Sequence, residues 1–383
     1  MKKRRIVIIV CVVLLALIPL YCLSLFVIHN ILFDAMPKDA NIRMLSFDHS
    51  KCLFVTDAGD VYVVESARDT DEKYSTYGLA HYGMYMDWMS SCGDNKAKAV
   101  RVFEGNAVWG NLSMYGMAVV TESAELYVTN GKEGYLLPEK VQEHVVSAIV
   151  SGGYVLYLSE EGGLYALTLD QGRAVTLLAE NVASFQAPID ERDGRQVLSV
   201  LYKDGMLREY EDIDALRENR WNWEEPGVKQ FDVTYSGVSQ GFRENISTMI
   251  YGALKENGDV YVFGMTDFVK YGYLHLTDEQ TEQYGDFSSF TKVAEGQTYV
   301  SAYQLGVLSL NDAGTLTVWG GEIQGFFDQG IVNRPIYENV AFVDGDVSIG
   351  LLTTEGRPLF WLTVTADSRS LSFLTDSPEK WVD

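Results

Sequence analysis

The sequence predicts an all-β chain: a seven-bladed β-propeller preceded by one N-terminal transmembrane helix. Three observations carry the prediction. They are an uncharged apolar run near the N-terminus, a hairpin pattern that recurs seven times, and a repeat length that suits blades of four strands.

The N-terminal run comes first. The chain begins MKKRRIVIIVCVVLLALIPLYCLSLFVIHNILF, in which basic residues Lys2 to Arg5 precede an apolar stretch over 6–28. That length lets a helix cross about 30 Å of hydrocarbon. Pro19 is the only breaker, and membrane helices tolerate proline. A cleaved signal peptide would have a shorter apolar region ending in small residues, which the stretch from Cys22 to Phe33 lacks. Bulky Tyr21 opposes a lipoprotein site at Cys22. The basic cluster ahead of the span keeps the N-terminus in the cytoplasm. The expected organisation is a cytoplasmic basic tail (1–5), a transmembrane signal anchor (6–28), a linker (29–40) and an extracytoplasmic propeller (41–383) in a single-pass cell-membrane protein.

Charge divides the chain in the same way. Its 30 basic and 53 acidic residues give −23. The first 32 residues hold four basic residues and no acidic one, so 26 basic face 53 acidic in the remainder, −27. A domain this acidic is repelled by nucleic-acid phosphates and anionic headgroups. It suits a soluble domain standing off the membrane, with no nucleic acid as partner. Cys11 and Cys22 fall in the span. Cys52 and Cys92 fall outside it, where they form one disulfide or stand as small buried core residues. NLS at Asn111 and NIS at Asn245 are glycosylation triplets if the host glycosylates secreted chains.

The repeat follows. VTDAGDVYVVES (from Val55), VTESAELYVTNG (Val120), LSEEGGLYALTL (Leu158), LYKDGMLREYE (Leu201), LKENGDVYVFGM (Leu254), LNDAGTLTVWGG (Leu310) and LTTEGRPLFWLT (Leu352) share one grammar. An apolar strand end meets a short polar turn, then a strand with aromatic or aliphatic residues. Gly59, Gly162, Gly205, Gly258, Gly314 and Gly356 supply the positive φ that such turns need, with Ala124 in their place once. A second mark, as in AENVASF (Ala179) and YENVAFV (Tyr337), sets one apolar position per unit: Ile42, Val100, Val145, Val182, Val228, Val293 and Val340. The terminal EKWVD places Val382 where an eighth unit would start, giving about 49 residues per unit and a ring that closes on itself. An open solenoid or sandwich is the competing arrangement, favoured only by unequal unit lengths. Asp212 to Asn219 reads as a short helical turn in a loop. Thr277 with Gln280 three residues on reads as a helix cap.

Two units carry a family resemblance. ENGDVYVFGMTDFVKYG holds Gly258, Phe263-Gly264 and Gly272, and DAGTLTVWGGEIQGFFDQG holds Gly314, Trp319-Gly320 and Gly330. These resemble repeats of the regulator of chromosome condensation family, in which a glycine turn and an apolar strand lead into tryptophan-glycine. The period extends from about residue 41 onward, and the motif is specific in these two units alone. The resemblance implies a seven-bladed propeller. The family's best-known member is an exchange factor for a small GTPase and binds chromatin. An acidic, extracytoplasmic domain fits neither role, so no small GTPase is expected as partner. Other members are secreted protein binders, including a bacterial β-lactamase inhibitor, and that precedent suits this topology better. Shared fold is weak evidence of shared function.

Chemistry is sparse. The five histidines are widely spaced, and no His-Glu helix motif, Cys-x-x-Cys pair, EF-hand loop, phosphate loop or nucleophile elbow occurs. No cofactor and no metal is expected. Acidic pairs such as Asp190-Glu191 read as solvated hairpin tips. Aromatic loops are the better candidates for binding. HYGMYMDWMSSCG holds Tyr82, Tyr85 and Trp88; RENRWNWEEPG holds Arg220, Trp221 and Trp223; TDFVKYGYLHL is a third such loop. Tryptophan, tyrosine and arginine favour binding hot spots. The same rings equally suit capping the protein's own core. The primary expectation is a membrane-anchored, non-catalytic module that binds a protein or glycan. The alternative is an extracytoplasmic carbohydrate-active enzyme with two carboxylates at the propeller channel.

Overall fold

In a computed structural model, residues 40–362 are described apart from 49–50, 66–99, 114, 130–137, 152, 170–171, 190–195, 239–245, 273, 322–330, 346–347 and 357. The expected membrane anchor (6–28) and the Val382 position lie outside the described residues. No helix among the described residues is long and apolar enough to cross a membrane.

Strands follow one another as antiparallel meanders, and each meander is one blade. The first holds β1 (Ile42–Asp48), β2 (Lys51–Thr56), β3 (Val61–Glu65) and β4 (Val100–Phe103). The second holds β5 (Ala107–Ser113), β6 (Gly116–Thr121), β7 (Leu126–Val128) and β8 (Glu139–Gln142). The third holds β9 (Val145–Ser151), β10 (Tyr154–Ser159), β11 (Leu164–Thr168) and β12 (Val175–Ala179). The fourth holds β13 (Val182–Gln186), β14 (Leu198–Tyr202), β15 (Leu207–Tyr210) and β16 (Trp223–Glu225). The fifth holds β17 (Val228–Val238), β18 (Ile246–Lys255), β19 (Val260–Phe263) and β20 (Thr291–Ala294). The sixth holds β21 (Gln297–Tyr303), β22 (Gly306–Asn311), β23 (Leu316–Gly320) and β24 (Val332–Tyr337). A last sheet has three strands, β25 (Val340–Gly345), β26 (Ser348–Thr353) and β27 (Pro358–Leu362).

The described residues therefore build six four-stranded blades, not the seven complete blades expected from the repeat. The seventh hairpin repeat belongs to the three-stranded sheet, whose chain leaves the described residues after Leu362. Two unit starts also shift. Val100 and Val293 lie on the outermost strands β4 and β20, whereas the innermost strands of those units' successors begin at Ala107 and Gln297. An outer strand and the next inner strand are both short and apolar, with three or fewer residues between them, so sequence pattern alone confuses them.

Each blade joins the next by the same contact. The first N–H of an inner strand donates to the carbonyl of the turn residue in the blade before it. The bonds are Ala107 to Gly59 (3.0 Å), Val145 to Ala124 (3.0 Å), Val182 to Gly162 (2.9 Å), Val228 to Gly205 (2.9 Å), Gln297 to Gly258 (2.9 Å) and Val340 to Gly314 (2.9 Å). Ile42 donates to Gly356 in the same way at 3.3 Å, which ties the three-stranded sheet to the first blade. The residue just ahead of the donor is Asn106, His144, Asn181, Gly227, Gly296 or Asn339, each at φ between 57° and 69°. Glycine and asparagine enter this left-handed region at least cost. The second position of every inner strand is then bulged outward, as between Ile42 and Met44 and between Val340 and Phe342.

The core lies between blades. One apolar cluster joins Leu53, Val55 and Val61 of the first blade to Leu112, Met117 and Val119 of the second. Another joins Ile250, Val260 and Val262 of the fifth to Val300, Val307 and Trp319 of the sixth. Long inserts fill the links between third and fourth strands. Asp212 caps α1 (Ile213–Arg217), its side chain accepting from the Ala215 N–H at 2.7 Å. α2 spans Thr266–Lys270, and α3 (Asp278–Tyr284) has the Thr277–Gln280 capping box that the sequence predicts.

The joint makes opposite predictions at two equivalent turns. A Cβ on Gly59, at φ 81°, would lie 2.5 Å from the Asn106 nitrogen. Gly59→Ala is expected to destabilise by about 2 kcal/mol or more. Ala124 holds the same place at φ 57°, and Ala124→Gly is expected to stabilise by up to about 1 kcal/mol. Urea midpoints with unchanged slopes check both.

Candidate binding faces

Antiparallel alternation places two kinds of link at the same end of the propeller: the turns between second and third strands, and the joints between blades. Nearly every such link exposes an acid. The turns carry Asp57, Glu122, Glu160, Glu161, Asp204, Glu256, Asp312 and Glu355; the joints carry Glu104, Glu143, Glu180, Glu295 and Glu338. We call this end the acidic face. Local bases offset parts of it. Lys140 reaches Glu143 at 2.7 Å and also Glu125, and its hydrogen bonds hold both carboxyls below their usual range. Lys292 reaches Asp259 at 2.8 Å and Glu295 at 2.6 Å. His144 Nδ1 lies 3.0 Å from Glu160. At the seam of β21–β24 and β25–β27 no lysine or arginine among the described residues pairs with Asp312 or Glu338. There a hollow of about 350 Å³ opens, lined by Tyr299, Leu310, Asp312, Val340, Ala341 and Thr354 among others.

The inner strands carry a second repeated feature. Their fifth residues are Ser46, Asn111, Ile149, Gln186, Asp232, Ser301 and Asp344. Several of these side chains accept the N–H at the sixth position of the next inner strand. Ser46 Oγ takes Leu112 N–H (3.2 Å), Asp232 takes Ala302 N–H (2.9 Å), and Ser301 Oγ takes Gly345 N–H (2.9 Å). Asp232 also accepts from the Ser301 hydroxyl (2.8 Å), its neighbour Val233 N–H (3.0 Å) and Gln186 Nε2 (3.4 Å). An acid at the channel is thus held by four donors in a structural network, and no group of residues that could hold a metal ion occurs among the described residues. Burial, then Asp232 and Asp344, push the Tyr299 hydroxyl well above its usual pKa. Asn111 lies half-buried on β5, so its glycosylation triplet is on a strand and not on a surface loop.

The opposite end carries the inserts that the sequence singles out. Tyr82, Tyr85, Trp88 and Cys92 lie outside the described residues. Arg220 is exposed and pairs with Glu218 at 2.6 Å. Trp221 is 39% exposed, with the Arg208 guanidinium 4.2 Å from its ring centre, and Arg208 bonds Glu224 at 3.0 Å. Trp223 is half-buried and turns the other way. Its ring meets Tyr251, Phe263 and Phe290 with centroids 4.8, 5.2 and 5.3 Å apart, closing the seam of the fourth and fifth blades. Of the two described tryptophans in this loop, Trp221 is the exposed one. Buried Tyr251 donates to Glu209 and contacts the Ser199 hydroxyl at 2.9 Å; burial raises its pKa. Cys52 is a free, fully buried thiol on β2, which burial pushes well up.

Sequence reading missed the acidic face. Its signal was present: a glutamate stands directly ahead of the left-handed residue in GluHis, GluAsn and GluGly at 143–144, 180–181, 295–296 and 338–339. With 53 acids in the chain, only the phase of the joint separates these from the rest.

The strand order and the joints between sheets define a β-propeller. No protein-family model and no curated protein matches the chain. Among solved structures, human WBSCR16 is similar with a TM-score of 0.53 at 13% identity, over 82% of this chain and 88% of that one. Prp20p from Saccharomyces cerevisiae, described with its binding to Gsp1p and histones, gives 0.52 at 13% identity, over 85% and 83%. The same yeast protein, named there as yeast RCC1 and bound to Kap60, gives 0.52 at 13%, over 85% and 81%. At these identities the likeness is one of fold, the β-propeller.

Two expectations follow. Asp232→Asn puts an amide NH₂ where an acceptor is needed and should cost about 2 kcal/mol of stability. Trp223→Ala should cost about 2–3 kcal/mol, whereas Trp221→Ala should stay within about 0.5 kcal/mol. Chemical denaturation of each variant measures all three.

Proposed function

We propose that this chain is a membrane-anchored, extracytoplasmic interaction module that binds a protein or glycan and carries out no catalysis. The observation that carries the reading is the state of the channel acid Asp232. Four donors hold it in place between blades, so it is engaged in structure and not poised across a cleft. What remains open is surface, and propellers of this architecture present whole faces to partners. In this reading the run over 6–28 anchors the chain, residues 1–5 stay in the cytoplasm, and 29–40 link the anchor to the propeller. The negative charge argues against nucleic acid, and an extracytoplasmic location argues against a small GTPase.

The test immobilises the full chain in non-ionic detergent and offers it solubilised surface proteins and glycans of the source cells. Saturable capture without turnover of a glycan panel is the expected result. Turnover of any glycan by the folded chain would replace this reading with the carbohydrate-active alternative.

A further inference from the structure

We infer that the hollow on the acidic face, between β21–β24 and β25–β27, seats a cationic segment of a partner protein. The inference rests on the interaction-module reading and names the face and the partner chemistry. The hollow has a volume of about 350 Å³. Its apolar part comes from Tyr299, Leu310, Val340 and Ala341. Tyr299 packs against Phe342, the rings tilted by 52° with centroids 5.5 Å apart, which gives one wall an aromatic edge. Asp312 forms part of the rim, Glu355 follows the lining residue Thr354, and exposed Glu338 lies two residues ahead of the lining residue Val340.

This combination fits lysine or arginine better than any other side chain. The aliphatic stem covers apolar surface while the charged head reaches the rim. Charge complementarity selects against an acidic or phosphorylated partner, since like charges across an interface repel. The hollow sets the location within the face, since it joins apolar lining to an acidic rim. Elsewhere on it Lys140 and Lys292 already sit against the acids of their blades, but among the described residues no lysine or arginine pairs with Asp312 or Glu338. The remaining acids around the face extend the attraction beyond the contact and raise the encounter rate, more so at low salt.

The test is a titration of the full chain in non-ionic detergent with a short labelled peptide of lysine, arginine and leucine, with empty micelles as blank. A second peptide carries glutamate at each cationic position. Asp312→Asn with Glu338→Gln should weaken binding of the first peptide at least about tenfold. Ala341→Phe, which fills the hollow at an exposed position, should weaken it comparably. Glu279→Gln with Glu282→Gln removes equal charge from α3 at the other end and should change affinity less than about twofold. The inference is overturned if the α3 pair weakens binding as much as the rim pair, if Ala341→Phe has no effect, or if the glutamate peptide binds equally. It is also overturned if neither peptide binds. Capture of surface proteins or glycans would then still stand, and the interaction-module reading with it.

Discussion

The N–H at the head of each inner strand donates to the turn carbonyl of the preceding blade, and the rest of the molecule depends on that joint. A blade alone has two faces to bury and two edges to manage. The joint holds neighbouring sheets at one spacing, so their faces interdigitate into the clusters between blades. At six of the joints the residue ahead of the strand turns left-handed, and those places hold asparagine, histidine or glycine. The joint also fixes which residues look outward. The bulge after the first inner position exposes the second, where Arg43, Val108, Val146, Ala183, Lys229, Thr298 and Ala341 stand. The acidic face is a consequence of the same geometry, because its acids flank the joints and the turns they meet.

Deeper along the inner strands, side chains continue the stitching. Ser46, Asp232 and Ser301 satisfy N–H groups that a meander leaves open at its inner edge. Gln230 does the same one turn of the pleat earlier, trading both hydrogen bonds with the Val300 backbone at 3.0 and 3.1 Å. An unpaired buried amide costs far more than a made bond contributes, so polar residues here favour a closed and well-defined ring. A channel acid in this fold is then better explained by the amides beside it than by chemistry.

Much of this was legible in the residues. The hairpin grammar located the second and third strands of each sheet because glycine, or Ala124 once, must take positive φ at the turn. Thr277 with Gln280 and Asp212 declared their helices through local capping chemistry. What local pattern could not provide was phase. VRVF at Val100 and AVWG at Ala107 are equally good strands, and only the partner across the joint tells outer from inner. Trp221 and Trp223 are two residues apart and look alike in sequence. One is exposed over Arg208, and the other closes a seam against Tyr251 and Phe263. That difference is tertiary, since the neighbours come from a different blade.

The most direct measurement is native-state hydrogen exchange of the joint amides: Ile42, Ala107, Val145, Val182, Val228, Gln297 and Val340. If the joint makes the ring one cooperative unit, all of them exchange only through global unfolding and with one free energy. The longer Ile42 to Gly356 bond should follow the others. Exchange of single joints at separate, lower free energies would mean that blades open independently, and it would contradict the account.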